Sequence, residues 1–156
     1  MTAPLLRAAV GRLEAWHRRF VHGATTALFA TGVLWLIFEY LVKSEGEFGS
    51  THHPLQAWWL KLHGAAALVM IYVAGTVLLT HMRRAWRLKN NRVPGAAFTA
   101  IFFALTLTGY LLYYAGGEDT RPLVSAAHWI IGLSMPVFLL MHIALGRRSK
   151  ATDLHP

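Results

Sequence analysis

Four long apolar stretches constrain this chain more than any other feature. They cover about residues 20–42, 54–81, 96–115 and 123–146, and short polar or basic segments separate them. A helix of about 20 residues crosses the ~30 Å hydrocarbon core of a bilayer, so each stretch is long enough to span it. Charged residues make up only 14% of the 156 residues, and a small domain has too much surface to bury so apolar a chain in water. The sequence therefore predicts an all-α integral membrane protein, a bundle of four helices.

The basic residues predict the orientation of these helices. Of the 15 Lys and Arg residues, only Lys43, Lys61 and Arg121 lie in or beside the first and third loops. The others lie in residues 1–19, around the loop 83–95, and in the tail 147–156. Because Lys and Arg concentrate on the cytoplasmic side, we expect an up-down-up-down bundle with both termini in the cytoplasm. Residues 1–19 are expected to form an amphipathic segment on the membrane surface. This clustering does not indicate nucleic-acid binding, which needs one continuous basic face.

The fourth apolar stretch carries two histidines at an informative spacing. His128 and His142 are 14 residues apart, a rise of about 21 Å and nearly four full helical turns. One helix would thus present two imidazoles on the same face, one in each leaflet. Two stacked haems need this arrangement, whereas the ligands of a single metal ion must converge. The chain has no cysteine, which excludes c-type haem attachment and thiolate-bound iron–sulfur clusters.

The second apolar stretch supplies a partner for the outer of these two histidines. His63 lies about nine residues inside its helix, and His128 lies about six residues beyond Pro122. At about 1.5 Å per residue, both sit roughly 10–13 Å below the outer boundary of the membrane. They are therefore expected to face each other across one haem.

The inner partner of His142 has three candidates in the sequence. His22 follows Arg19 by three residues, which places it at a depth close to that of His142. His81 is the alternative, although a rise of about 27 Å from His63 places it lower, at the water boundary. His17 precedes Arg18 and is expected outside the hydrocarbon. We favour His22.

Several polar residues have a functional and an ordinary interpretation. Lys61 and Arg121 on the outer side, and Arg19 and Arg147 on the inner side, are candidate partners of haem propionates, or they simply set the topology. Glu39 either exchanges protons with a quinol or lies at the headgroup level. His52, His53 and His155 are expected to be solvated.

Four spans with histidines on the first and second, and a pair on the fourth, resemble the bacterial four-helix di-haem cytochrome b group. This group includes prokaryotic cytochrome b-561 and the cytochrome b subunits of formate dehydrogenase and nickel–iron hydrogenase. The resemblance covers about residues 15–147. It implies that His22 and His142 hold the inner haem, and that His63 and His128 hold the outer haem.

The resemblance also implies a function. Such a chain, in the bacterial inner membrane, would use two haem b groups to carry electrons between the quinone pool and a periplasmic redox protein or partner subunit. It would be an electron-transfer subunit rather than a complete enzyme. The sequence leaves open the oligomeric state and two other functions, a stand-alone superoxide:quinone oxidoreductase and a haem-free metal-binding or scaffold subunit.

Overall fold

A computed structural model describes residues 13–47, 49–87, 92–114 and 117–152. Within them, four helices are long and apolar enough to cross a membrane, which confirms the prediction of four long apolar helices. In chain order the elements are α1 (Ala15–Tyr40), β1 (Lys43–Gly46), β2 (Gly49–His52), α2 (Leu55–Val77), a π-helical segment (Leu78–Met82), α3 (Arg83–Arg87), α4 (Arg92–Tyr114) and α5 (Arg121–Thr152). The four long helices are α1, α2, α4 and α5.

The surface of the long helices is apolar. In the most apolar part of each, at most 11% of the residues are buried within the protein, and large side chains such as Leu68, Tyr72 and Tyr114 are more than 70% exposed. In water this much exposed apolar surface would aggregate, whereas lipid tails solvate it. Because every interior backbone group of a helix is hydrogen-bonded within the helix, these elements suit the hydrocarbon of a bilayer.

The chain divides into two compact units, each containing two of the long helices. The first unit is Ala15–Thr76, with α1, the two strands and α2. The second contains the described residues from Val77 onward, with α3, α4 and α5. In the second unit α4 packs beside α5, and Gly132 of α5 lies against Leu105 of α4. Each unit thus places a candidate ligand helix beside a partner helix.

The helices extend beyond the predicted apolar spans. Helix α1 begins at Ala15 and already contains Arg18 and Arg19, and α5 continues to Thr152. Hydrophobicity marks only the part of a helix that lies in hydrocarbon, whereas backbone hydrogen bonding continues through the headgroup region. The N-terminal amphipathic segment predicted for residues 1–19 falls mostly outside the described residues.

The first loop contains a β-hairpin. Strands β1 and β2 pair antiparallel, with Lys43 opposite His52 and Gly46 opposite Gly49. Gly49 has a φ of +112°, a conformation that only glycine adopts readily. The sequence predicts a polar loop here, because neither strand has the alternating apolar pattern that identifies a half-buried strand.

Helix α2 is followed by a π-helical segment that contains His81. The sequence predicts a single apolar helix that ends near His81, but helical structure continues through Arg87. A π-helical turn widens the helix and changes the direction in which the following side chains point. Such turns are rare and are frequent at functional sites.

Candidate functional site

His63 of α2 is held by α1. Its Nδ1 lies 3.1 Å from the backbone oxygen of Leu28 and 3.1 Å from Oγ1 of Thr31. A carbonyl oxygen can only accept a hydrogen bond, so Nδ1 must carry the hydrogen. In the neutral ring, Nε2 then carries the lone pair that can bind a metal. An acceptor on the other ring nitrogen is the usual environment of a metal-binding histidine.

His128 of α5 has a corresponding environment in the second unit. Its Nδ1 lies 2.9 Å from Oγ1 of Thr108 on α4. As in the first unit, a threonine on the helix that precedes the histidine helix meets the imidazole at Nδ1. The two histidines that the sequence predicts as outer ligands therefore share the same type of neighbour.

His142 is near two aromatic side chains of the second unit. Its ring centroid is 6.5 Å from that of His81, with the ring planes at 84°, and 5.8 Å from that of Phe98, with the planes at 26°. Its Nδ1 is buried and has no hydrogen-bond partner among the described residues. A buried polar nitrogen without a partner costs about 1–3 kcal/mol.

Helix α1 carries the two other inner candidates, His17 and His22. The His22 side chain is exposed. His17 is buried and stacks on Trp16 with the ring centroids 3.6 Å apart, and its Nε2 has no hydrogen-bond partner among the described residues. The sequence places His17 outside the hydrocarbon and gives no signal that its ring would be buried.

An open apolar cavity of about 360 Å³ lies in the first unit, and His22 is not among the residues that line it. Its lining includes Phe20, Gly23, Ala24 and Val69, with Arg19 as the charged residue among them. Small residues on α1 leave this space open, since a Cβ on Gly23 would meet nothing within 4 Å. The cavity is therefore apolar, with one cation among the described residues of its lining.

The other predicted propionate partners have different surroundings. Lys61 places its Nζ 4.8 Å from the ring centroid of Trp58, a cation–π contact. Arg121 is exposed at the start of α5. The side chain of Arg147 and all of His155 lie outside the described residues. Among the predicted cations whose side chains the structure describes, Arg19 is the one that lines the cavity.

Glu39, at the end of α1, belongs to a polar cluster that the sequence does not reveal. Its Oε2 accepts a hydrogen bond of 2.6 Å from Nε2 of Gln56 and lies 3.4 Å from Nδ1 of His52. Lys43 donates to the backbone oxygen of Glu39 and lies 3.4 Å from the same His52 nitrogen. The hairpin brings His52 back to Glu39. We name Glu39, His52, Gln56 and Lys43 the Glu39 cluster.

The other loop histidine also has a contact. The ring of His53 meets Phe38 edge-on at 5.2 Å. Neither His52 nor His53 is therefore only solvated, although the sequence predicts that both are. These contacts depend on how the two strands of the hairpin pair, and the sequence does not show that pairing.

The described residues contain no cluster of three or more His, Cys, Asp or Glu side chains placed to hold a metal ion. A zinc site needs three or four such ligands at one point. Haem iron needs only axial ligands from the protein, because the macrocycle occupies the other positions.

A scan against protein-family models finds no match to this chain. Searches of curated proteins and of solved structures find none either.

Proposed function

We propose that this chain is a di-haem b-type cytochrome that carries electrons across the bacterial inner membrane. The observation that carries the proposal is the matched environment of His63 and His128, whose Nδ1 atoms lie 2.9–3.1 Å from acceptors on a neighbouring helix. This arrangement leaves the lone pair on Nε2 and fixes the ring, as a metal ligand requires. Four helices that fit a bilayer supply the path across the membrane.

In this proposal His63 and His128 are the ligands of the outer haem, as their depth in the sequence indicates. His142 is a ligand of the inner haem, because it lies 14 residues after His128 on α5 and its half-buried ring contacts Phe98. His22 completes the inner site, on the resemblance and on its depth three residues after Arg19. His81 is the rival, on its ring contact with His142.

Each part of the chain has a defined role in this function. Bound haem supplies reversible one-electron chemistry. The histidines hold it and tune its potential, and the apolar helices exclude water from it. Arg19 pairs with a propionate. A quinol that gives up electrons also releases protons, and the Glu39 cluster offers a carboxylate and an imidazole as bases. Electrons pass between the quinone pool and a periplasmic redox protein or partner subunit.

The first test is the haem content of the protein purified in detergent from cells with adequate haem supply. A pyridine haemochrome assay and a reduced-minus-oxidised spectrum should give two haem b groups per chain. His63→Ala and His128→Ala should each remove the same haem, and His142→Ala the other. His53→Ala is the matched control and should retain both. A chain with no haem would overturn the proposal.

The same assay decides the inner ligand. We expect His22→Ala to remove the haem that His142→Ala removes, and His81→Ala to retain both haems. The opposite result would assign the inner site to His81 and leave the rest of the proposal unchanged.

A further inference from the structure

A threonine–glycine step recurs beside both proposed outer ligands. Thr31–Gly32 on α1 meets His63, and Thr108–Gly109 on α4 meets His128. The two steps lie in different units, so the recurrence comes from separate contacts.

Each threonine hydroxyl already uses its hydrogen within its own helix. Oγ1 of Thr31 donates to the backbone oxygen of Ala27 at 2.6 Å, and Oγ1 of Thr108 donates to that of Ala104 at 2.7 Å. A hydroxyl has one hydrogen and two lone pairs, so its oxygen remains an acceptor toward the imidazole. The direction of the hydrogen bond is then from Nδ1–H of the histidine to the threonine, and from the threonine to the backbone. Bonds in such a chain strengthen one another.

Each glycine allows its threonine to come this close. A Cβ on Gly32 would lie 3.2 Å from Cε1 of His63, and a Cβ on Gly109 would lie 3.4 Å from Cε1 of His128. A Cβ at Gly32 would press on the His63 ring, whereas a Cβ at Gly109 would be in ordinary van der Waals contact with the His128 ring. The threonine therefore supplies the acceptor, and the glycine supplies the space.

We propose that Thr31 and Thr108 are positioning residues that hold the outer ligand imidazoles as Nδ1–H tautomers, present Nε2 to the iron, and lower the potential of the outer haem. This inference rests on the proposed function. A ligand imidazole that donates from Nδ1 is a stronger base, and a more basic ligand favours the oxidised iron. The identity of the axial ligand and its hydrogen bonding are among the means by which a protein sets a haem potential.

The test compares variants that keep or remove the hydroxyl at constant shape. Thr31→Val and Thr108→Val should raise the midpoint potential of the outer haem, and Thr31→Ser and Thr108→Ser should restore the wild-type value. We expect a change of roughly tenfold in the ratio of oxidised to reduced haem for Thr108→Val, which corresponds to about 59 mV for a one-electron couple. Thr31→Val should give a smaller shift in the same direction, because the Leu28 carbonyl still accepts from His63.

Matched controls lie on the same two helices. Thr106 on α4 donates to the backbone oxygen of Phe102, and Thr25 on α1 is buried, with no partner for its hydroxyl among the described residues. Thr106→Val and Thr25→Val should therefore leave the outer potential unchanged.

The outcomes separate this inference from the proposed function. If the wild-type protein binds haem and the valine variants at 31 and 108 behave like these controls, the positioning role is wrong and the cytochrome remains. If the valine variants lose haem and the serine variants do not regain it, the threonines are only structural, and the inference is again overturned. If the wild-type protein binds no haem, the proposed function is wrong, and the inference about the threonines is wrong with it.

Discussion

At the scale of single residues, the sequence identifies the histidines and the structure identifies what holds them. The 14-residue spacing of His128 and His142 and the depth of His63 follow from helix geometry alone. The acceptors at Thr31 and Thr108 do not, because they depend on how each helix is rotated toward its neighbour. The only signal in the sequence is the Thr-Gly dipeptide that appears in both the first and third apolar stretches. Small residues of this kind are common in membrane helices, so the dipeptide alone does not identify a site.

The two glycines of these steps predict which of two alanine variants has the larger effect on haem binding. Gly32→Ala should disturb the outer site more than Gly109→Ala, because its Cβ would lie 3.2 Å rather than 3.4 Å from the imidazole. We expect Gly32→Ala to lower the haem content measured by pyridine haemochrome, and Gly109→Ala to lower it less.

A third glycine provides the control. A Cβ on Gly75 of α2 would meet nothing within 4 Å, and alanine is favoured over glycine inside a helix by about 1 kcal/mol. Gly75→Ala should retain full haem content and equal or greater thermal stability. Equal haem content in all three variants would show that the close approach of the glycines to the rings has no consequence for binding.

At the scale of elements, the sequence is accurate for long apolar helices and inaccurate for the segments between and after them. Helix α4 extends four residues before its predicted start at Ala96, a difference that follows from the helix continuing into the headgroup region. The hairpin and the π-helical segment are missed altogether. The strand sequences KSEG and GSTH carry no apolar alternation. The π-helical turn at Leu78–Met82 lies within an apolar run in which hydropathy cannot detect a change of helical period.

The hairpin gives Glu39 a partner, and this leads to a prediction for quinol chemistry. With His52 3.4 Å away and Gln56 donating to it, the Glu39 carboxylate is held at a fixed position near the end of α1. Glu39→Gln keeps the shape but removes the base. We expect it to lower the rate of haem reduction by a short-chain quinol roughly 10²-fold, the lower end of the usual contribution of acid–base catalysis.

The matched control for this variant is Glu45→Gln. Glu45 lies exposed on β1 of the same hairpin, so its neutralisation should leave the rate unchanged. Both variants should retain two haems. An unchanged rate in Glu39→Gln would show that the Glu39 cluster only fastens the hairpin to α1.

At the scale of the whole molecule, the apolar character of the chain and the location of its charges are the most informative properties. The four spans follow from hydropathy and length, and the part of the chain that the structure describes contains four helices that meet both conditions. Orientation rests on a different property, the distribution of Lys and Arg, which acts during membrane insertion rather than through contacts in the fold. It therefore requires its own measurement.

The chain has no cysteine, so one introduced cysteine reports the side of the membrane on which it lies. Ser50→Cys places a thiol at an exposed position in the hairpin, and Asn90→Cys places one in the basic second loop. With both termini in the cytoplasm, a membrane-impermeant maleimide should label Ser50→Cys in intact spheroplasts. It should label Asn90→Cys only after the membrane is permeabilised, and the unmodified chain should not react. The reverse pattern would show the opposite orientation. It would exchange the proposed inner and outer haem sites and place the Glu39 cluster on the cytoplasmic side.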